Sequence, residues 1–366
     1  MVFKLSDLKE VCSKILTAVD SSENSQITDT LELEVKNSVL NLSVTNREYF
    51  TRVRLNTGVD VEFHASVNAG LFLKLISSLT SDNVELTVTE NFLTVNGDGS
   101  YKIPLIYDGT SMLSLPEITI SNVTQSFDIP KESLMNILKY NMNELNKGVV
   151  VKPVQKLLYL DENGCITFTT GACVNSFSLS KPIKVLLTPK VVKLFKLFKD
   201  DSVHFELGQD SAGGNVIQTK VIFSDSITTI SSILPSDPVM INSVPVTAIR
   251  NRAFCNYDYV VNLNRDSLLN AIKRLSLFVD KSAKSVVTLT FANDKVKISD
   301  NNSNQETINY DSTSLVNCNY VCKLSVDDFR LTLETCTDKF IVVSFGNHQA
   351  MVISKNNVYN VLPEVV

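Results

Sequence analysis

The chain has 366 residues, more than one hydrophobic core usually supports, so two or three domains are expected. Hydrophobic residues make up 44% of it and charged residues 20%, a composition that excludes a disordered chain, while the formal net charge of −5 argues against a plain basic nucleic-acid-binding domain. No apolar run approaches the ~18–20 residues of a membrane span, and Asp7 and Glu10 lie where a secretory signal would be apolar, so we expect a soluble cytoplasmic protein.

Six segments along the chain show the apolar spacing of amphipathic helices. Their predicted starts are Ser6, Ala65, Pro130, Thr188, Asn264 and Ser325. Alternate starts lie 124, 134, 123 and 137 residues apart. This spacing predicts a unit of about 130 residues that occurs three times and contains two helices each time.

Between the helices, apolar and polar residues alternate with a period of two, which predicts strands joined by tight turns. One hairpin follows the first helix of each repeat, at 31–44, 158–168 and 287–298. A second hairpin follows the second helix in the first and third repeats, at 84–95 and 340–353. Asn96–Gly99 also lies between two strand-like runs, so we predict a hairpin turn there rather than a phosphate cradle.

The predicted fold class is therefore α+β. Three repeated domains each pack two helices on one face of antiparallel sheets. The boundaries are expected where the strand-rich end of one repeat meets the next repeat, which gives domains at 1–121, 122–244 and 245–366.

Motifs for catalysis or cofactor binding are not found in the sequence. It has no phosphate loop with its Lys, no GxGxxG after a strand, no GxSxG and no HExxH, so no enzymatic activity and no cofactor are expected. The seven cysteines are scattered, which favours reduced thiols. Cys318 and Cys322 are the one close pair, and no second pair or nearby His completes a metal site. The three histidines, at 64, 204 and 348, are therefore interpreted as structural.

Positive charge is concentrated in the predicted helices. Their spans contain 15 Lys and Arg against 9 Asp and Glu, a net charge of +6, which leaves −11 for the rest of the chain. Lys190, Lys193, Lys196 and Lys199 recur at every third position. These lysines either solvate the outer faces of separate helices or share one electropositive surface. The collective bias favours the shared surface, which would contact phosphates without reading bases.

Four segments, in this order along the chain, are similar to segments of the bacterial β sliding clamp. They are an opening strand and helix at Met1–Leu5, a TDGHRL-like stretch at Thr169–Val174, a polar stretch at Asn301–Glu306 and the terminus Tyr359–Val366. Together with the repeat, they make the whole chain resemble that family.

The sequence departs from the family pattern at three places. Ala172, Cys173 and Val174 replace His-Arg-Leu, and Glu364 and Val365 replace an apolar residue and Arg. The arginine expected after the first helix is not evident in 20–30. These changes affect the expected partner preference and DNA contacts, and they favour a phage-encoded or atypical clamp.

The resemblance implies a head-to-tail homodimer that encircles double-stranded DNA without sequence preference and tethers the replicative polymerase. It also implies other partners that carry clamp-binding motifs, an ATP-dependent clamp loader and a nucleoid-associated location in the cytoplasm.

The residues expected to face DNA are Lys9, Lys14, Lys74, Lys139, Lys147, Lys190, Lys193, Lys196, Lys199, Lys273 and Arg274. The expected partner-peptide groove comprises Thr169, Gly171, Ala172, Val174, Pro235, Asn360, Leu362, Pro363 and Glu364. The expected dimer contacts are Lys74, Ser78, Ile103, Leu275 and Leu277, of which one of the two leucines should face away from its own core.

One alternative function remains open. A structural repeat protein, for example a phage assembly component, would share the repeat but have lysines that are merely solvated. Such a protein would neither be retained on DNA nor stimulate a polymerase, whereas the clamp would do both and form a stable dimer.

Overall fold

The computed structural model describes residues 1–20, 25–58, 61–146, 152–212, 215–278, 285–311, 318–346 and 350–365. The chain divides into two compact units. The first comprises 1–134 with 193–236, and the second comprises 135–192 with 237–366.

One order of elements recurs three times along the chain: a strand, a helix, four strands, a second helix and three strands. The first repeat contains β1 (Val2–Lys4), α1 (Leu5–Leu16), β2 (Thr30–Lys36), β3 (Val39–Thr45), β4 (Tyr49–Asn56), β5 (Phe63–Asn68), α2 (Ala69–Ser78), β6 (Asn83–Val88), β7 (Phe92–Asn96) and β8 (Ser100–Pro104). Two short strands, β9 (Tyr107–Asp108) and β10 (Ser111–Met112), follow it.

The second repeat contains β11 (Val123–Pro130), α3 (Lys131–Leu145), β12 (Leu158–Asp161), β13 (Gly164–Phe168), β14 (Ala172–Ser176), β15 (Lys184–Leu187), α4 (Pro189–Leu194), β16 (Ser202–Ala212), β17 (Asn215–Ser224) and β18 (Thr228–Leu234). Helices α5 (Pro238–Asn242) and α6 (Val246–Phe254) connect it to the third repeat. The third repeat contains β19 (Tyr259–Asn264), α7 (Arg265–Leu275), β20 (Val286–Phe291), β21 (Lys295–Ser299), β22 (Gln305–Asn309), β23 (Tyr320–Ser325), α8 (Val326–Thr335), β24 (Phe340–Phe345), β25 (Ala350–Lys355) and β26 (Val358–Pro363).

Every repeat contributes two four-stranded antiparallel arrays of the same order. In the first repeat these are β5-β2-β3-β4 and β1-β6-β7-β8. In the first unit, β4 pairs with β18, so two arrays join into an eight-stranded sheet. In the second unit, β14 pairs with β26 in the same way. The arrays β1-β6-β7-β8 and β22-β21-β20-β23 remain four-stranded, with β8 and β22 at their edges. The prediction of an α+β fold with three repeats is confirmed.

The six predicted helices are present, with two corrections to their bounds. Helix α2 begins at Ala69 rather than Ala65, because 63–68 pairs with β2 as strand β5 and the Asn68 side chain caps the helix by accepting the Leu71 N–H. Helix α4 ends at Leu194 and continues only as a 3₁₀ turn at Phe195–Leu197. Side-chain caps also begin α7 and α8, where Asn264 accepts the Ser267 N–H and Ser325 accepts the Asp328 N–H.

The hairpins form where the alternation predicts them. At the tip of the β2–β3 hairpin, Asn37 and Ser38 have φ values of +52° and +60°, as a type I′ turn requires. Asn96 pairs with Ser100 across the glycine-bearing stretch, which confirms a hairpin turn there. The turn predicted after the strand at 340–345 includes residues outside the described ranges.

Apolar residues at helical and strand spacing form the cores. Helix α1 packs on α2 in the first unit and α7 packs on α8 in the second. The third repeat buries one continuous cluster that includes Leu268, Ile272, Phe291 and Phe329. Cys322 is part of this cluster and Cys318 packs against it, which gives the close cysteine pair a packing role. Within the described ranges, no group of three or more His, Cys, Asp or Glu residues could hold a metal ion, and no helix is long and apolar enough to cross a membrane.

Candidate functional site

The predicted DNA-facing residues lie on helices or in the turns that follow them. Seven of them are exposed, namely Lys74, Lys139, Lys193, Lys196, Lys199, Lys273 and Arg274. Lys9, Lys14 and Lys190 are half-buried, and Lys147 lies outside the described residues. In the structure, most of these cations therefore lie on the solvent-facing surface.

Several of these cations have partners on their own unit. Lys9 Nζ donates to the Leu79 carbonyl at 2.6 Å, so its ammonium is committed to the end of α2. Lys273 lies 3.3 Å from Glu334. Arg274 forms a two-point pair with Glu306 at 2.5 and 2.7 Å, and this hydrogen bonding raises the pKa of Arg274 and lowers that of Glu306. Lys273 and Arg274 on α7 are thus paired with carboxylates, whereas Lys9 on α1 keeps its charge beside a neutral carbonyl group.

The segment after Thr188 differs, because its lysines recur with the period of a 3₁₀ helix. Side chains three residues apart eclipse in that geometry. Lys193 ends one side of α4, Lys196 lies in the 3₁₀ turn and Lys199 follows it, and all three are exposed while Leu194, Phe195 and Leu197 are buried. The spacing of three that the sequence shows is the spacing that the local backbone needs to keep these lysines on one face.

The predicted peptide-groove residues of the second unit lie around the pairing of β14 with β26. Ala172 and Val174 are buried on β14, and Asn360 is buried on β26. A Cβ at Gly171 would lie 2.7 Å from the Val361 carbonyl oxygen, so glycine is required by this chain's own strand. Leu362 is buried within the core of the third repeat, at 3% exposure.

The remaining predicted groove residues are more accessible. Thr169 and Pro363 are half-buried, and the Thr169 hydroxyl donates to Glu144. Glu364 is half-buried and accepts the hydroxyl of Tyr320, whose pKa is raised by burial and then by this carboxylate. Pro235 follows β18 in the first unit, where it is half-buried.

Helices α5 and α6 form an apolar surface that the sequence patterns did not reveal. Met240, Ile241, Val246 and Ile249 pack, half-buried, on a cluster that contains Val174, Ala350 and Val361. We call these helices and the strand residues beneath them the α5–α6 surface. Val246, Ile249 and Ala253 have helical spacing, but the sequence predicts only a domain boundary here, because Pro245 interrupts the segment and each helix is short.

One ion pair fixes the α5–α6 surface on its sheet. Arg250 Nη1 and Nη2 lie 2.7 and 2.6 Å from the two carboxylate oxygens of Asp161, and the side chains are only 17% and 5% exposed. Hydrogen bonding to Asp161 raises the pKa of Arg250 despite its burial. This pair connects α6 to the end of β12.

The predicted dimer residues belong to two separate places. On the first unit, Lys74 and Ser78 are exposed on α2, and Ile103 on β8 is buried in its own sheet. On the second unit, Leu275 is buried in its core at 3% exposure, whereas Leu277 is 79% exposed. The exposed leucine that is available for an intermolecular contact is therefore Leu277, whereas the side chains of Ile103 and Leu275 are buried within their own units. Phe278 beside it is 56% exposed and was not predicted.

Comparison with known proteins gives structural matches only. No protein-family model matches the sequence, and no curated protein matches it. The fold is similar to the DNA polymerase sliding clamp of Bacillus subtilis at a TM-score of 0.80 and 15% identity, over 100% of this chain and 98% of that one. It is similar to the DNA polymerase III β subunit of Pseudomonas aeruginosa at 0.80 and 14%, over 100% and 99%.

A third similar structure is the Helicobacter pylori β clamp bound to a DNA ligase peptide. Its TM-score is 0.75 and its identity 16%, with 100% of this chain and 99% of that chain covered. The likeness in all three cases spans the entire sequence. This chain has the fold of the bacterial DNA polymerase III β sliding clamps.

Proposed function

We propose that this protein is a DNA sliding clamp, which encircles duplex DNA and tethers a DNA polymerase to it without catalysing a reaction. The observation that carries the proposal is the pairing of consecutive repeats. The outer strand of one array, β4 or β14, always pairs with the last strand of the next repeat, β18 or β26. A chain built this way extends by the same contact at each step, which suits the construction of a ring.

The same rule predicts how two copies associate. The counterpart of β4 and β14 in the third repeat is β22, and the counterpart of β18 and β26 in the first repeat is β8. Both are edge strands, and each pairs on one side only within the described residues. We expect β8 of one copy to pair with β22 of another, which gives a head-to-tail homodimer of six repeats. Leu277 then lies beside the new strand pair, and Lys74 and Ser78 approach it from the partner.

Sequence-independent DNA contact is supported by the basic residues on the helices. Duplex DNA carries one charge per ~1.7 Å of its axis, and scattered phosphate contacts hold it without fixing a register. The exposed lysines Lys193 and Lys196 are the strongest candidates, because α4 and its 3₁₀ turn contain no carboxylate. Processivity follows from encirclement and from the high effective concentration of a tethered polymerase.

The α5–α6 surface is proposed to bind partner peptides that carry Gln and paired Leu or Phe anchors. Half-buried Met240, Ile241 and Ile249 offer apolar area to such anchors, and Thr169 and Pro363 add accessible groups at the end of the strands. The H. pylori clamp is bound to a DNA ligase peptide, and we propose peptide capture of that kind here. The polymerase and other partner proteins would dock through this surface.

We also propose that an ATP-dependent loader opens the ring, that the protein acts on the nucleoid in the cytoplasm, and that its domains are 1–121, 122–244 and 245–366.

Sedimentation velocity tests the assembly first. The clamp proposal expects a stable dimer of twice 40.6 kDa at micromolar concentration. A protein that stays monomeric at every concentration would instead favour a structural repeat protein without a DNA role.

A further inference from the structure

A pocket of about 400 Å³ lies in the first unit and shares Lys14 and Lys199 with the predicted DNA-facing residues. Helix α1 forms one wall with Asp7, Glu10 and Lys14. Arg54 on β4 and Lys199 after the 3₁₀ turn form another wall. The pocket thus collects three cations and two carboxylates from elements far apart in sequence.

Arg54 is the unusual member of this set. Its guanidinium makes no hydrogen bond or ion pair with any residue in the described ranges, although its backbone N–H donates to Ile227. Burial lowers the pKa of Arg54, and the charge of Arg52 lowers it further. The guanidinium is therefore partly desolvated, and no anion hydrogen-bonded to it among the described residues compensates for that loss. Arg52, two residues earlier on the same strand, differs because Glu117 accepts its guanidinium at 2.9 and 3.1 Å.

The carboxylates whose charge acts on Arg54, Glu117 and then Asp225, are not hydrogen-bonded to its guanidinium in the described residues. The two Asp225 oxygens accept backbone N–H groups of Lys199, Asp200, Ile227 and Thr228, at 2.5 to 3.2 Å, and thereby hold the β17–β18 turn. Asp225 raises the pKa of Arg54 only through its charge, after burial and Arg52 have lowered it. The five-donor fork of the guanidinium is therefore still available to a ligand.

The other two cations of the pocket are available to different degrees. The Lys199 carbonyl accepts a hydrogen bond from Lys131. The exposed Lys199 ammonium forms no ion pair within the described residues, although its charge helps to lower the pKa of Asp200. Lys14 lies 3.4 Å from Glu10, which is 59% exposed, and such a solvent-facing pair is weak. Asp7 and Glu10, both on α1, oppose an anion on that side and favour the side of Arg54 and Lys199.

We propose that this pocket binds one phosphate group through Arg54 and Lys199, and that in the assembled ring the group belongs to the DNA backbone. That the phosphate comes from DNA rests on the proposed function, whereas phosphate binding by the pocket does not depend on it. A guanidinium matches two phosphate oxygens at once, and an ammonium supplies a second point of charge. Because no base edge is involved, the contact carries no sequence information.

The experiment uses the full-length protein and two substitutions, Arg54→Gln and Lys199→Gln. Lys199 is exposed, so its variant should fold even if Arg54→Gln does not, and thermal unfolding checks both. Lys184→Gln is the charge-matched control, because Lys184 is exposed on β15 in the second unit. Inorganic phosphate is titrated by calorimetry at constant ionic strength, and a short duplex is titrated at several salt concentrations.

We expect the native protein and Lys184→Gln to bind phosphate, and Lys199→Gln and Arg54→Gln to bind it at least tenfold more weakly. We also expect the slope of log affinity against log salt for the duplex to become shallower by about 0.9 in each pocket variant, as for one lost phosphate contact. The proposal would be overturned if the native protein did not bind phosphate and the pocket variants had the same salt-dependence slope for the duplex as the native protein. Phosphate binding that the variants lose while their duplex slopes match the control would overturn the assignment to DNA. If the native protein bound no duplex, the assignment of the phosphate to DNA would fail, and the phosphate titration would still decide whether the pocket binds the anion.

Discussion

The Arg250 guanidinium on α6 meets the Asp161 carboxylate at the end of β12 through two hydrogen bonds, of 2.7 and 2.6 Å. Both side chains are largely buried, so each charge depends on the other for its solvation. The pair joins the helical connection between the second and third repeats to the sheet that it covers. It therefore positions the surface that we propose for peptide capture.

Removing one partner of this pair should destabilise the second unit. We expect Arg250→Ala to lower the free energy of unfolding by about 3–5 kcal/mol, because it leaves the Asp161 carboxylate buried without its cation. Arg252→Ala is the control, since Arg252 is exposed on the same helix. Urea denaturation measures both variants, and equal small losses would show that the ion pair does not hold α6 in place.

The pair of His64 and Glu32 predicts a pH dependence of stability. His64 Nε2 lies 2.9 Å from Glu32 Oε1, and this hydrogen bond raises the pKa of His64 above about 6.5, its ordinary value. Burial alone would raise the pKa of Glu32, but hydrogen bonds from His64, Ser114 and Leu115 outweigh it and leave the pKa lowered. His64 therefore adds stability that is complete below pH about 6.5 and is lost as the pH rises through its folded-state pKa.

The His64→Gln variant tests this dependence. It should lose more stability relative to the native protein at pH 5.5 than at pH 8.5. The pH dependence of Glu32 is opposite to that of His64. Glu32 stabilises the folded state while its carboxylate is ionised, and this stabilisation is lost as the pH falls and the carboxyl group is protonated. Urea unfolding at the two pH values gives the comparison, and a loss that is the same at both would contradict the assigned pair.

The basic segment after Thr188 should affect retention on DNA. Lys193→Glu with Lys196→Glu should weaken binding to duplex DNA at low salt, and the difference from the native protein should shrink as salt screens the contacts. The control pair is Lys181→Glu with Lys184→Glu, which has the same spacing and the same charge change on other exposed lysines. A fluorescence titration that finds the two double variants equal would show that only total charge matters.

The exposed leucine beyond α7 should control assembly. Leu277→Asp should yield folded monomers, because a carboxylate would have to be desolvated beside the proposed β8–β22 strand pair. Val239→Asp is the matched control, since Val239 is 76% exposed on α5 and lies outside the proposed contact. Sedimentation velocity reads the mass, and a normal dimer in the Leu277 variant would place the interface elsewhere.

Adjacent residues on α5 allow a sharp test of peptide capture. Met240 packs against the cluster beneath α5 and α6, whereas Val239 points into solvent. Met240→Glu should weaken binding of a peptide with Gln and paired Leu and Phe anchors by tenfold or more, and Val239→Glu should not. Fluorescence anisotropy measures both affinities. Equal affinity in the two variants would remove the α5–α6 surface from the proposed site. Deleting 362–366 would be a poorer test, because Leu362 is a core residue.

The repeat could be predicted from the sequence because helical and strand periodicities are local signals. The segment 63–68 shows the limit of that approach. Its apolar residues fit both the helical and the strand period, and only its pairing with β2 makes it a strand. Leu275 and Leu277 show the same limit at the level of single side chains. Spacing indicates that both cannot face the core, but packing determines that Leu275 does.

The contacts between repeats could not be predicted, because they join residues far apart in sequence. Thr228 pairs with Val53, and Ala172 pairs with Val361, in sheets whose edges no local pattern marks. The pocket around Arg54 depends on the first of these junctions. Helices α5 and α6 were missed because α5 has only five residues and α6 buries only Ala253, so neither shows the pronounced apolar stripe from which the other helices were predicted.

Topological retention on circular DNA tests the central claim most directly. The dimer is dissociated by dilution, allowed to reassemble on a nicked circular plasmid, and washed at high salt, and the plasmid is then cut once with a restriction enzyme. A clamp stays on the circle through the wash and is released when the DNA gains ends. Equal retention on circular and linear plasmid, or none on either when the dimer is shown to have reformed, would contradict a ring that encircles DNA.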